Sequence, residues 1–395
     1  MWWSTTMSNI GDGITLTAFP LLAVSLTDDA RLIAMVLVVR FIPFVAIGLP
    51  LGVVIDRMDR RKVGLAAQVI RAVVLMLLAA NVAADGGTLA ALYAAAFIVG
   101  LSEVVIDSSA PAMIRQVVET EQLELANARL TSTEQVTNLF IGPPLGAALF
   151  TVASWLPFVV VMSAFVLAAL LLAVVPGSFR PDRSADGDVS FRSELGTGLR
   201  YVWGHPVLRP MALTVAVFAC LGEAGNAVLV LLATERLGLS EVSYGLLITA
   251  DAAAAIVWSL FVAGYIRRVG HVRSLQTGML LFIVAAVLLG TSTALVGVVL
   301  GMVLTGIADP SWNVVSRTLR QRLVPDEIFG RMMTAYLTIA WSMQPIGAFL
   351  GGVLAEATGP EWVYLAQAPI MLFMLFVGAR PLFRAVPAAL ADAEP

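Results

Sequence analysis

Nine charged side chains stand inside long apolar runs: Asp12, Glu103, Asp107, Glu134, Glu223, Asp251 and Asp309, with Arg40 and Arg71. In hydrocarbon an ionised carboxylate costs at least ~2.5 kcal/mol, so each acid must face water, find a base or take up a proton. Seven acids against two bases suit proton or cation binding. Asp12 lies 10 residues past Trp2, ~15 Å along a helix, and Arg40 sits ~12 Å from the opposite end of the next run, so the two are expected to meet near mid-depth. Two readings stand: Asp12 as a proton or cation site with Arg40 as its conditional partner, or a permanent ion pair joining two helices. Glu223 occupies the matching depth in the second half of the chain. Glu103 and Asp107, four apart, share one helix face; Glu103 is expected to reach a cavity, and Asp107 to act as a gate against the basic loop at 57–61. Glu134, Asp251 and Asp309 are further cavity candidates, although Asp309-Pro310 could instead cap a kink. Arg71 is expected to pair with an acid or to snorkel.

These residues need elements that hold them in a membrane. The chain of 395 residues is 59% hydrophobic and 13% charged, with mean hydropathy +0.90, where soluble domains carry about 25% charged residues. A hydrocarbon layer of ~30 Å requires about 20 apolar residues per helix. Such runs fall at about 2–26, 32–55, 63–83, 89–112, 130–153, 156–175, 207–233, 244–266, 274–292, 294–316, 332–355 and 362–380, which predicts an all-α polytopic membrane protein with 12 transmembrane helices. The runs are too long and continuous for the alternating strands of a membrane barrel. Twenty of the 24 basic residues fall on one set of connectors, Arg31 and Arg236 on the other, which places both termini in the cytoplasm. No cleavable leader is expected at the N-terminus. One cysteine, Cys220, excludes an intrachain disulfide, and a net charge of −3 gives no reason to expect nucleic acid.

The longest polar stretch, PGSFRPDRSADGDVS at 176–190, reads as a linker. Beyond it Phe191, Leu195, Leu199 and Trp203 recur every four residues. This pattern predicts an amphipathic helix on the inner membrane surface, the alternative being a linker that is helical only by chance. The expected organisation is a six-helix bundle over 1–175, the linker and its helix over 176–206, a second bundle over 207–384 and a tail over 385–395. The halves echo each other: Asp12 with Glu223 at an offset of 211, Gly52 with Gly264 at 212, and IGPPLGAAL (141–149) with IGAFLGGVL (346–354) at 205. Duplicated, pseudo-symmetric bundles are the architecture of rocking transporters that bind substrate between the halves.

The connector GVVIDRMDRRKV (52–63) resembles the GxxxDRxGRR signature loop of the major facilitator superfamily through Gly52, Asp56, Arg57, Arg60 and Arg61, with Asp59 where the family usually has glycine. In the fifth span Gly142, Pro143 and Gly146 resemble the superfamily's GPxxG antiporter motif, although a plain small-residue packing seam would contain the same residues. GDGITLTAFP and RFIPFVAIGLPLG are similar to the drug and proton antiporter branch that includes macrolide efflux and enterobactin export proteins. The resemblance implies the superfamily's fold and proton-coupled efflux of amphipathic or lipophilic small molecules such as drugs. It also implies an inner latch in which Asp56 lies against the start of the eleventh span, unless the loop charges serve topology alone. The arginine that many proton antiporters carry in the fourth span has no equivalent here. Two alternatives stand: export of a siderophore, biosynthetic product or lysolipid, and a membrane sensor or scaffold that transports nothing. An enzyme is not expected, because His205 and His271 lack metal-ligand spacing and the only lysine, Lys62, is outside any P-loop pattern. No cofactor or metal is expected. The partners would be a small-molecule substrate, protons and the lipid bilayer of a cell membrane, with the protein a monomer.

Overall fold

Every regular element in the computed structural model is helical; it describes residues 1–46, 58–118, 122–175, 179 and 191–392. The first half contributes α1 (Trp2–Leu26), α2 (Ala30–Ala46), α3 (Arg60–Ala83), α4 (Leu89–Val117), α5 (Leu123–Glu134), α6 (Gly142–Val152) and α7 (Leu156–Ala173), with a π turn over Gln135–Ile141 joining α5 to α6. The second contributes α8 (Phe191–Gly204), α9 (Leu208–Leu231), α10 (Glu241–Val269), α11 (His271–Thr291), α12 (Leu295–Leu323), α13 (Asp326–Thr358), α14 (Pro360–Phe373) and α15 (Arg380–Asp392), with π turns over Leu232–Arg236 and Met374–Gly378.

Ten described helices are long and apolar enough to cross a membrane. The second expected span is described only over the 17 residues of α2, and the fifth is divided by the π turn ahead of Gly142-Pro143-Pro144. The chain divides into two compact units, Met1–Gly187 with Ala233–Thr249, and Asp188–Leu232 with Ala250–Pro395. In the first, α1 packs against α6 and α7, α3 against α7 and α4, and α2 against α4. Its core is largely aliphatic and includes Phe19 and Phe158, stacked at 5.9 Å, and the buried Phe165. In the second, α9 packs along α13, and α11 along α12, around Met211, Met279, Val315 and Tyr336.

Two peripheral helices differ from expectation. α8 forms, but its apolar side does not lie free on the membrane surface. Val202 is buried, Leu195 and Leu199 pack on the second unit's core, and a Cβ at Gly198 would collide with the Arg331 carbonyl of α13. Trp203 falls on the outer side, with the Arg209 guanidinium 5.8 Å from its ring centre. The expected tail at 385–395 is helical to Asp392, because Leu382 and Val386, four apart, are buried in the same core.

Candidate functional site

α1 carries Ser4, Ser8, Asp12 and Thr15 on one face, all buried, because residues three and four apart lie above one another on a helix. Opposite, α3 presents Gln68 and Arg71 from adjacent turns, and both are buried. Arg71 has no exposed surface. Its Nη1 lies 3.1 Å from Asp12 Oδ1 and donates to Asp12 Oδ2 at 3.3 Å and to Ser8 Oγ at 3.3 Å. Its Nη2 donates to the Val99 carbonyl at 3.4 Å, and its guanidinium stands 4.9 Å over the Phe165 ring. Gln68 Nε2 also donates to Ser8 Oγ, at 3.0 Å. Among the described residues Asp12 Oδ1 accepts no hydrogen bond, so one buried carboxylate oxygen keeps its accepting capacity.

Arg40, expected as the conditional partner of Asp12, is ion-paired with Glu103. Gly100 lets α4 press against α2, and a Cβ there would strike the Arg40 carbonyl. From that position Arg40 reaches Glu103, one turn along α4, with Nη2 donating to Oε2 at 3.2 Å and to Oε1 at 3.5 Å. Arg40 Nη1 touches α1 through Thr15 Oγ1 at 3.5 Å. Two pairs, Asp12 with Arg71 and Glu103 with Arg40, therefore stand side by side. Arg71 is the base that spacing along α1 and α2 could not select, since it comes from a third helix.

The pairs border a cavity of about 350 Å³ in the first unit. Asp12, Arg71, Glu103, Asp107 and Glu134 line it together with Ser8, Asn9, Gln68 and Thr131. Asp107 thus faces the same space as Asp12. Of the loop expected to receive it, Gly52, Asp56 and Arg57 lie outside the described residues. In the remainder Arg61 Nη1 donates to the Val175 carbonyl at 2.6 Å and the Arg60 amide to the Phe179 carbonyl at 3.3 Å. Asp59 caps α3, its carboxylate accepting from the Arg61 amide at 3.1 Å and the Lys62 amide at 3.4 Å. An acid replaces glycine there because it satisfies the open end of a helix.

Gly142 and Gly146 make a seam against α1. A Cβ on Gly142 would stand 2.5 Å from Gly13 Cα, and one on Gly146 would stand 2.6 Å from the Ile14 carbonyl oxygen. Thr17 Oγ1 donates to the Pro143 carbonyl at 3.0 Å. Pro144 has no N–H for the Phe140 carbonyl four residues back, which instead accepts from Thr249 Oγ1 at 3.3 Å.

In the second unit the candidates are dispersed over three helices. Glu223 is half-buried on α9 and accepts from Asn226 Nδ2 at 3.5 Å. Asp309 is exposed on α12 and accepts from Asn313 Nδ2 at 2.6 Å, and α12 runs on through Pro310 rather than being capped there. Gly306 brings α12 against α10 at the Asp251 backbone, where a Cβ would collide with its carbonyl. Sequence reasoning missed Gln68, Ser8 and Phe165 around Arg71. The stripe Ser4, Ser8, Asp12, Thr15 carried a helical period that could have found Ser8, but Gln68 and Phe165 come from other helices.

The sequence profile of the major facilitator superfamily matches residues 1–233 and again 212–394. The chain belongs to the major facilitator superfamily. It is 25% identical over 380 residues to the multidrug efflux pump Tap of Mycolicibacterium fortuitum, covering 92% of this chain and 90% of that one. It is 20% identical over 398 residues to macrolide efflux protein A of Streptococcus pyogenes, covering 95% and 94%. Among solved structures it resembles the nucleoside transporter NupG (TM-score 0.74, 13% identity, 96% and 97% covered) and a bacterial homologue of ferroportin in its inward-facing state (TM-score 0.75, 18% identity, 96% and 97% covered). At those identities the structural likeness concerns the fold. The superfamily's members here are transporters, and this protein is a multi-pass protein of the cell membrane.

Proposed function

We propose that this protein is a proton-coupled efflux transporter of amphipathic or lipophilic small molecules, working through 12 spans with both termini in the cytoplasm. The observation that carries the reading is the cavity of about 350 Å³ where four acids, Asp12, Glu103, Asp107 and Glu134, meet one lining arginine, Arg71, with Arg40 behind Glu103. A permanently neutral brace would need one base for each acid. Among the described residues two carboxylates exceed the arginines, so the site has room for protons without leaving a buried guanidinium unpaired. In this reading a proton reaching Asp12 weakens its hold on Arg71, whose other partners, Ser8 and the Val99 carbonyl, retain it. The substrate class comes from the efflux pumps this chain resembles over nine-tenths of its length.

Reconstitution in liposomes with an imposed pH gradient tests it, following accumulation of a fluorescent lipophilic cation. Wild-type protein should accumulate the cation only with the gradient, and Asp12→Asn should abolish that accumulation while facilitated exchange of the same compound persists. Gradient-driven accumulation that survives in Asp12→Asn moves coupling to another acid. No movement of any lipophilic compound favours a dedicated product as cargo.

A further inference from the structure

Three arginines line an open groove of the second unit. The groove has a volume of about 640 Å³ and lies between α10, α11, the π turn at Met374–Gly378 and α15. Arg273, Arg380 and Arg384 line it, and no acid does. All three side chains are exposed, and none makes an ion pair with a described residue. Along α11 the lining passes from Arg273 through Gln276 and Thr277 to Leu280, and Leu280 and Phe376 are more than half exposed, with Leu375 and Phe383 completing the apolar part. A neutral polar rim separates the two zones: the Tyr265 hydroxyl and Thr277 Oγ1 lie 2.7 Å apart, beside Gln276.

This order, cations above, hydroxyls and an amide at the shoulder, and exposed apolar side chains beneath, reproduces the sequence of groups along a phospholipid with an acidic headgroup. Guanidinium groups bind phosphate oxygens in pairs, and an anionic leaflet attracts basic side chains near its surface. The basic residues belong to the set of connectors that the charge count assigns to the cytoplasm, where anionic lipid would face them. We propose that this groove is a binding site for one anionic phospholipid, its phosphate held by Arg273, Arg380 and Arg384 and its acyl chains lying along Leu280 and Phe376. The phosphate chemistry is common to lipid and free anion; the exposed apolar wall favours the lipid.

Native mass spectrometry of the full chain, exchanged with an equimolar mixture of phosphatidylglycerol and phosphatidylcholine, tests the site. Wild-type protein should retain phosphatidylglycerol about tenfold over phosphatidylcholine, and each arginine changed to glutamine should lower that preference by about fivefold until it is lost. The triple Arg→Lys variant should keep most of the preference, because lysine also binds phosphate as a point charge. Equal retention of the two lipids by wild-type protein, or unchanged preference in Arg273→Gln, Arg380→Gln and Arg384→Gln singly, overturns the proposal. Displacement of the lipid by millimolar inorganic phosphate would assign the arginines to a free anion and overturn it too. Should the triple glutamine variant fail to fold, the wild-type competition and the single variants still decide.

Discussion

Arg71 has no exposed surface and the Asp12 side chain is 7% exposed, so solvent cannot stabilise either charge once its partner is gone. Removing one member of such a pair costs about 3–5 kcal/mol, whereas replacing both with apolar groups of similar volume is close to neutral. Arg71→Met should therefore destabilise by about that amount, and Arg71→Met combined with Asp12→Leu should recover most of it. Thermal unfolding of the four proteins of the cycle checks this. Additive losses would mean that Ser8 and the Val99 carbonyl, rather than Asp12, hold the guanidinium. Asp107 gives the opposite contrast, since it makes no ion pair with a described residue and lines the cavity. Asp107→Asn should leave the unfolding temperature within the range of an ordinary surface change, about 0.5 kcal/mol, while altering the pH dependence of uptake. The single acid of α1 was legible in the sequence as a chemical anomaly, but its partner was not. Pairing inside a bundle is set by which helix a glycine allows to come close, here Gly100 against α2.

Helix contacts carry the next level of specificity. Gly142 of the GPxxG motif touches Gly13 so closely that an added methyl would stand 2.5 Å from Gly13 Cα. Overpacking of this kind costs about 1–3 kcal/mol. Gly142→Ala should lower thermal stability accordingly, while Gly222→Ala, with nothing within 4 Å of the new Cβ, should not. The packing-seam reading of the motif thus has a geometric basis here whether or not the motif also governs antiport. At α3, Asp59→Ala should cost about 1 kcal/mol through the lost cap, but Asp59→Gly only a few tenths. The connector between α1 and α2 holds a further acid, Asp29, bound by the Arg31 side chain and amide, with Nη2 at 2.6 Å from Oδ2. Hydrogen bonds from Arg31 hold its carboxyl down from 3.8 to about 2. Because the folded value is depressed, the contact is fully present above the ordinary carboxylate range and is lost only as pH falls through about 2. Asp29→Asn should therefore leave the pH profile of transport between about pH 5 and pH 8 unmoved.

At the scale of the molecule, hydropathy alone was enough to place most spans, since a run of ~20 apolar residues has few alternatives to crossing the bilayer. It could not foresee α15 or the docking of α8. Both are amphipathic, and an apolar stripe does not say whether lipid or protein will cover it. Orientation rests on charge in another way: twenty basic residues lie on one set of connectors and Arg31 and Arg236 on the other, an asymmetry that topogenesis reads through Lys and Arg rather than through net charge. Cys220 is the sole thiol, so a Cys220→Ser background isolates single introduced reporters. Asp28 and Lys62, both exposed, fall on opposite sets of connectors. Asp28→Cys should react with a membrane-impermeant maleimide in intact cells, and Lys62→Cys only after the membrane is opened. The reverse pattern would invert the protein and place the basic groove of α11 and α15 outside. Reactivity of both in intact cells would require an even number of spans between them, and the expected count of 12 would fall with it.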